Sequence, residues 1–283
     1  MSARKHAFLL FSKAPTAGVT KTRLTTARGG IFTPQEAADF YQSSLLDVVE
    51  CGFKALTELN SSAKDDSQEN DQYDFVLSSP SKEDQAKLES LFSESGEWPQ
   101  PIHFIIDHGK TFDDHFDDAF HQLFERGYHS VVSIGGDLPT MPVSHIVQAF
   151  RWLEYFDSYS DKGGFVQAPC QECGVSLVGY TAKTPMDSTS IFYNLQGVPA
   201  LDGYINKAAE RGVPVASLTP VADVDDSSDL AHTISLLHGI AYSAQFQPGL
   251  FLAWRTLNWI NDHGVVISTP PNNEHDPREL IDA

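Results

Sequence analysis

The chain has 283 residues, 41% of them hydrophobic, enough for one large α/β domain with an extension or for two small ones. No apolar run reaches the roughly 18 to 20 residues of a membrane span, and the run behind the basic N-terminus is too short for a signal-peptide core. Three cysteines (Cys51, Cys170, Cys173) exclude a disulfide scaffold and fit a reducing, cytoplasmic compartment, while a net charge of −19 excludes nucleic acid and anionic membranes as general partners.

In chain order, the apolar run from His6 to Ser12 predicts a buried parallel strand, followed by a polar loop over 13–30 rich in Gly, Thr and Lys/Arg. Thr33-Pro34-Gln35-Glu36 combines a capping residue, a proline at the first helical position and a Glu three residues after the cap. Behind it Ala38, Tyr41, Leu45, Val48, Val49, Phe53 and Leu56 recur at helical spacing, so an amphipathic helix is expected to about residue 59. Residues 60–73 are mostly Ser, Asp, Asn, Gln and Glu, which predicts a mobile surface insertion without chemistry. The pattern then alternates: strand 74–79, helix 82–92, strand 103–107, helix 112–126, strand 130–135, helix 143–155. Such alternation implies a parallel sheet covered by helices on both faces. Further strands are expected at 165–168, 175–180 and 213–218, and helices at 199–211 and 227–238. The main domain is read as residues 1–240. Residues 241–283 are read as an extension that packs on it through Phe251, Trp254, Leu257, Trp259 and Ile260, with a disordered end from Pro270.

Charge is unevenly spread. Residues 1–35 hold Arg4, Lys5, Lys13, Lys21, Arg23 and Arg28 and no acid, a local charge of +6, whereas the rest of the chain sets 13 cations against 38 carboxylates. A basic pole on an acidic body suggests an anion site. The loop from Ser12 to Leu24 follows the first strand, and ligands of open α/β sheets bind outside the carboxyl ends of strands. Gly18 offers close backbone approach, and Lys13, Lys21 and Arg23 suit a polyphosphate. It is not a Walker A loop, because Thr20 rather than Gly precedes Lys21.

Ile134-Gly135-Gly136-Asp137-Leu138-Pro139 ends another expected strand, with two glycines that leave room for a ligand and an Asp placed to hold Mg2+ or Mn2+. Asp223-Val224-Asp225-Asp226 follows the last strand and supplies a second carboxylate. Cations and carboxylates at strand ends can converge on one sheet edge, and a metal-bridged nucleotide explains both signs of charge. Cys170-Gln171-Glu172-Cys173 invites a zinc or redox reading, but no second pair completes a zinc site. His103, His108, His115, His121 and His129 lack the i, i+4 spacing of a helical metal site and are read as ordinary histidines. The acidic run Asp113-Asp114-His115-Phe116-Asp117-Asp118 reads as a solvated helix face with Phe112, Phe116 and Phe120 turned to the core.

The segment from Phe11 to Leu24, with Lys13, Pro15, Gly18, Lys21, Thr22, Arg23 and Leu24 in the pattern K-x-P-x-x-G-x-x-K-T-R-L, resembles the N-terminal signature of a bacterial family of glycosyltransferase-like selenodomain-associated transferases. The resemblance continues through Gly136-Asp137-Leu138-Pro139, Ala168-Pro169 and Leu177-Val178-Gly179 to Asp223-Val224-Asp225, spanning residues 7 to about 235. That family is similar in fold to GT-A nucleotide-sugar transferases and to small nucleotidyltransferases such as the molybdenum-cofactor and 2-phospholactate guanylyltransferases. The resemblance implies a GT-A-like, Rossmann-like α/β domain with a mostly parallel sheet and helices on both faces. It also implies nucleotide phosphates held by the loop of Lys13, Pro15, Gly18, Lys21, Thr22 and Arg23, and a metal held by Asp137 and Asp225. One departure stands out: where the family has Asp-Gly-Gly, this chain has Glu172-Cys173-Gly174, which keeps a carboxylate but adds a side chain where the family's backbone approaches a ligand.

The expected function is therefore a Mg2+- or Mn2+-dependent transferase that takes a nucleotide-activated donor and a small-molecule acceptor, with glycosyl transfer favoured. Lys21 and Arg23 would neutralise the diphosphate, Asp137 and Asp225 would hold the metal, and Glu172, or Asp107, would deprotonate the acceptor. Nucleotidyl transfer with release of pyrophosphate is the alternative within that class. A catalytically silent nucleotide-binding regulatory protein is the alternative outside it, and homo-oligomerisation is left open.

Overall fold

A computed structural model describes residues 3–65 and 71–268. Its strands are β1 (Lys5–Phe11), β2 (Gln72–Ser79), β3 (Ile102–Ile106), β4 (Tyr128–Gly135), β5 (Phe165–Pro169), β6 (Val175–Thr181) and β7 (Val215–Ser217). Its helices are α1 (Pro34–Asp65), α2 (Lys82–Glu94), α3 (Phe112–Glu125), α4 (Val143–Tyr159), α5 (Ala200–Arg211), α6 (Ser227–Ser243) and α7 (Trp254–Asp262). The strands form one seven-stranded sheet in the order β3-β2-β1-β4-β6-β5-β7. Every pairing is parallel except the two made by β6, which runs against β4 and β5.

Alternation along β1 sorts the core into two layers. Phe8 and Leu10 pack with α1, α2 and α4, whereas Ala7 and Leu9 pack with α3 and α5. A third, smaller core joins Leu24, Phe32, Phe40 and Val224 to Leu230, Ile234 and Leu237 of α6 and to Trp259 and Ile260 of α7. From β1 the chain moves one way to β2 and β3, then returns to place β4 on the other side. That reversal opens a crevice at the carboxyl ends of β1 and β4.

The capping box at the start of α1 forms as its sequence demands: Thr33 N donates to Glu36 Oε2 at 2.7 Å and Glu36 N to Thr33 Oγ1 at 3.2 Å. The surface insertion expected over 60–73 is corrected at both ends. Helix α1 continues to Asp65, and the amide of Asn60 exchanges hydrogen bonds with the backbone of Tyr73, at 3.1 and 3.0 Å. Tyr73 itself is 3% exposed, and Asp71 pairs with Arg4 at 2.7 Å; residues 66–70 lie outside the described residues. A few polar side chains, those of Asn60 and Asp71, thus fasten the described ends of a stretch whose composition predicts looseness.

The acidic run on α3 is corrected in part: Phe116 and Phe120 turn to the core and Asp114 is exposed, as expected, but two of the acids and Phe112 are not as expected. Asp113 is 5% exposed and accepts from Phe192 N at 3.0 Å, Asp117 accepts from Ser188 N at 2.7 Å, and Phe112 is 41% exposed. These carboxylates fasten the connection between β6 and α5 instead of facing solvent. Helix α7 packs on α1, where Asp47, wholly buried, accepts from Thr256 N and Thr256 Oγ1, both at 2.8 Å, and pairs with Arg255 at 3.0 Å. The disorder expected from Pro270 lies outside the described residues. Among the described residues no helix is long and apolar enough to cross a membrane.

At the opposite sheet edge from the crevice, His6 is 1% exposed, stacks on Tyr73 at 4.6 Å and contacts Ser130 Oγ at 2.7 Å and Asp71 Oδ2 at 3.3 Å. Burial pulls its pKa down to about 4, against the opposing pull of Asp71, while Arg4 and His129 add to the depression. The unfolded chain, at about 6.5, binds this proton first, so the stability held by neutral His6 is complete above pH 6.5 and is lost as pH falls toward 4. Urea midpoints should therefore drop between pH 6.5 and 4, by a contribution of about 3 kcal/mol, and His6→Phe should flatten that slope.

Candidate active site

The crevice is a cavity of about 940 Å3 at the edge where six parallel strands end and β6 begins. Lys13, Lys21, Thr22 and Arg23 line it from the loop after β1, Asp137 from the loop after β4, Glu172 from the loop after β5, and Asp223 and Asp225 from the segment after β7. Pro15 and Gly18 do not line it; they shape the loop. Gly18 has φ 77, a left-handed conformation that closes the turn in which Thr20 N donates to Thr16 O at 3.0 Å. Its role is therefore the turn itself, where the sequence suggested close approach to a ligand.

Lys21 reaches across the crevice. Its Nζ donates to Asp137 Oδ2 at 2.5 Å and to Asp225 Oδ1 at 3.1 Å, and the side chain is 8% exposed. Burial opposes the charge, but Asp137, then Asp225 and Asp223, overcome it and hold the ammonium above the ordinary lysine range. Arg23, 66% exposed, pairs with Asp225 Oδ2 at 3.2 Å. Lys13 turns back on its own loop and donates to Val19 O at 3.0 Å, so it faces the cavity without joining the cluster.

The glycines before Asp137 serve the protein rather than leaving room for a ligand. A Cβ on Gly135 would lie 2.6 Å from Asp137 Oδ1, and one on Gly136 would lie 2.8 Å from Leu45 Cδ1 and 2.9 Å from the Tyr41 hydroxyl. Only glycines let the Asp137 carboxylate fold back and the loop sit on α1, where Ser44 Oγ donates to Gly136 O at 3.1 Å. Tyr41 is fixed in turn by a 2.8 Å hydrogen bond to Ser12 Oγ. Asp137 caps no helix among the described residues; Pro142 is the N-cap of α4.

Residues i and i+2 of an extended segment share a face, so Asp223 and Asp225 both turn to the crevice while Val224, fully buried, enters the third core. Asp226 next to them is the N-cap of α6. Asp137, Asp223 and Asp225 offer oxygens that all lie within 4.8 Å of one another. Asp223 is the site residue that the sequence reading passed over, although its spacing from Asp225 carried the signal. Burial, then the charge of Asp137, lifts the Asp223 carboxyl far above the ordinary range, whereas Lys21 and Arg23 outweigh burial at Asp225 and lower it. The buried Oδ1 of Asp223 has no hydrogen-bond partner among the described residues.

Glu172 and Cys173 lie at the cavity rim with φ 54 and 59, a left-handed region that favours glycine, as at the family's Asp-Gly-Gly. Glu172 is exposed and makes no hydrogen bond or ion pair among the described residues. Burial and the neighbouring carboxylates Asp223, Asp225 and Asp137 push the Cys170 thiol up to about 12, which speaks against a reactive thiolate.

Beyond β1 the cavity turns aromatic. Phe11 stacks on Phe116 at 5.2 Å, and Phe192 lies edge-on to Phe112 at 4.9 Å. On this wall His115 Nδ1 meets Asp107 Oδ1 at 2.6 Å, and Ser78 Oγ donates to Asp107 Oδ2 at 2.6 Å. Asp107, 3% exposed with both oxygens engaged, orients His115 and is not placed to act as a free base. No local spacing announces this pair, because Asp107 follows β3 and His115 sits on α3.

The fold is a Rossmann-like α/β fold with a mostly parallel sheet, shared with solved transferase structures. A solved structure assigned as a nucleotide-diphospho-sugar transferase from Desulfovibrio desulfuricans G20 aligns with a TM-score of 0.67 at 20% identity, covering 93% of this chain and 96% of that one. The model of a family described as "Uncharacterized protein conserved in bacteria (DUF2064)" matches residues 65–195, a span that holds Asp137 and Glu172. The match and the fold bear out the resemblance read from the loops. A cytidylyltransferase from Leptospira borgpetersenii serovar Hardjo-bovis aligns at 11% identity with a TM-score of 0.48, covering 96% of this chain and all of that one. A 4-diphosphocytidyl-2C-methyl-D-erythritol synthase from Anaerococcus prevotii aligns at 10% identity with the same TM-score, over 83% and 96%. No curated protein matches the chain.

Proposed function

We propose that this protein is a metal-dependent transferase that takes a nucleotide-sugar as donor and a small-molecule hydroxyl as acceptor. The observation that carries this reading is the meeting of Lys21 and Arg23 with Asp137, Asp223 and Asp225 in one crevice at the switch point of the sheet. Three carboxylates, one of them with a buried oxygen left without a partner, form a hard-oxygen donor set suited to Mg2+ or Mn2+. Mg2+ or Mn2+ on these carboxylates would supply charge stabilisation to a leaving diphosphate. Lys21 and Arg23 bind and neutralise that diphosphate, so preorganised electrostatics does most of the work.

We assign the aromatic half to the nucleobase, with one face of the base on the Phe11 ring, which Phe116 backs, and His115, held by Asp107, at its polar edge. Glu172, exposed at the rim and unengaged, takes the proton of the acceptor hydroxyl. The name of the Desulfovibrio structure supports sugar transfer over nucleotidyl transfer.

The reading is tested by incubating the protein with Mn2+, a panel of nucleotide-sugars and small hydroxylated acceptors. Release of a nucleoside diphosphate is expected. Pyrophosphate released from a nucleoside triphosphate and a sugar phosphate would replace this reading with nucleotidyl transfer. Thermal stabilisation by nucleotide, about 2.7 kcal/mol at a hundred times the dissociation constant, without any turnover would leave a silent binder.

A further inference from the structure

We propose that Lys21 fills the cation position of the carboxylate cluster in the ligand-free protein, and that a divalent metal enters as the phosphates of a nucleotide draw the ammonium away. The inference rests on the reading of the crevice as a nucleotide and metal site, and goes beyond it by making one side chain the competitor of the metal. The cluster is one cation wide: three carboxylates have oxygens within 4.8 Å of one another, and Lys21 Nζ already contacts two of them, at 2.5 and 3.1 Å. Two cations in that space would repel each other at a distance where neither is screened by water.

The ammonium is an incomplete occupant. It engages Asp137 and Asp225 and leaves the buried Oδ1 of Asp223 without a hydrogen bond among the described residues, so that even with the exposed Arg23 on Asp225 two positive charges face three acids. A divalent ion matches them better. Lys21 is also built to leave. Its φ of 49 is a left-handed conformation that costs a non-glycine residue energy, and it sits just before the short 3₁₀ turn Thr22–Leu24. A lysine is a compact charge on a flexible four-carbon stem, so small changes at that joint move the ammonium far.

Phosphate therefore frees the cluster by pairing with Lys21, and metal favours phosphate binding by releasing Lys21. By linkage each strengthens the other to the same degree.

The experiment is a titration with Mn2+ alone, followed by the electron paramagnetic resonance signal of the free ion, on the full chain and on Lys21→Met and Lys21→Gln. Both variants should bind Mn2+ at least tenfold more tightly than the unaltered protein, an increase in affinity on losing a site residue. Lys21→Gln keeps a donor toward Asp137 and guards against a variant that fails to fold. On the unaltered protein, acylation by acetic anhydride read by mass spectrometry should label Lys21 several-fold faster with saturating Mn2+ than without, while Lys13 stays constant. Equal or weaker Mn2+ binding by folded variants, with unchanged Lys21 labelling, would overturn the exchange while leaving the metal site standing. If Mn2+ binds none of the proteins, the exchange and the metal reading fail together.

Discussion

Asp137→Asn should lose Mn2+-dependent nucleotide binding by about ten- to a hundredfold, as expected when a charge-assisted contact of about 1.5–3 kcal/mol disappears. The substitution keeps the shape of the side chain, so Gly135 and Gly136 still accommodate it and the loop stays seated on Tyr41 and Leu45. What changes is charge. One of three carboxylates becomes an amide that can offer only its carbonyl oxygen to a metal. Lys21 stays compensated by Asp225 and Asp223, so the fold should survive, and thermal melting should move little. Isothermal titration of nucleotide with and without Mn2+ reads the effect directly: a loss confined to the metal-containing arm locates the metal at Asp137. An equal loss in both arms would mean that Asp137 acts on nucleotide through Lys21 alone, and no loss would remove Asp137 from the site.

The second large effect is expected far from the chemistry. Trp259→Ala should destabilise the protein by about 3–5 kcal/mol, the usual cost of emptying an aromatic core position. Trp259 is 9% exposed, packs edge-on against Phe32 at 5.1 Å and Phe40 at 5.5 Å, and its indole N–H has no partner among the described residues. The loss is therefore one of packing, and Trp259→Phe should recover much of it. The same small core holds Leu24, one residue after Arg23, and Val224, between Asp223 and Asp225. Loosening it should slacken both charged loops, so nucleotide affinity should fall even at temperatures where the variant is folded. Urea unfolding gives the first quantity and titration of the folded variant the second. Full nucleotide affinity in a destabilised Trp259→Ala protein would show that the loops are held without the C-terminal helix.

Much of this was legible in the residues themselves. Strand and helix periods along β1 to α4 needed only the alternation of apolar side chains, and the start of α1 needed only the chemistry of its cap. The basic loop and Asp137 were legible because each follows an apolar run of strand length, and loops at the carboxyl ends of parallel strands face ligands. Asp223 was legible in part, as one of two acids at i and i+2. His115 was not, because a helix face with a single histidine looks alike whether its partner is water or a buried carboxylate. Nor was the opposite use of the glycines at 135 and 136: a missing Cβ declares space, and only packing shows whether a ligand or the protein fills it.

The sequence by itself determined the class of fold, the sign of the charge on each loop and the edge of the sheet to which those loops belong, since these follow from local periodicity and strand direction. Which charges touch was decided by tertiary structure alone. Lys21 and Asp225 are 204 residues apart in the chain and 3.1 Å apart in space. That contact depends on β1, β4 and β7 ending on one edge, and on the C-terminal helices closing a third core beneath both loops. Distances of that kind arise from how layers pack, and no local pattern encodes them.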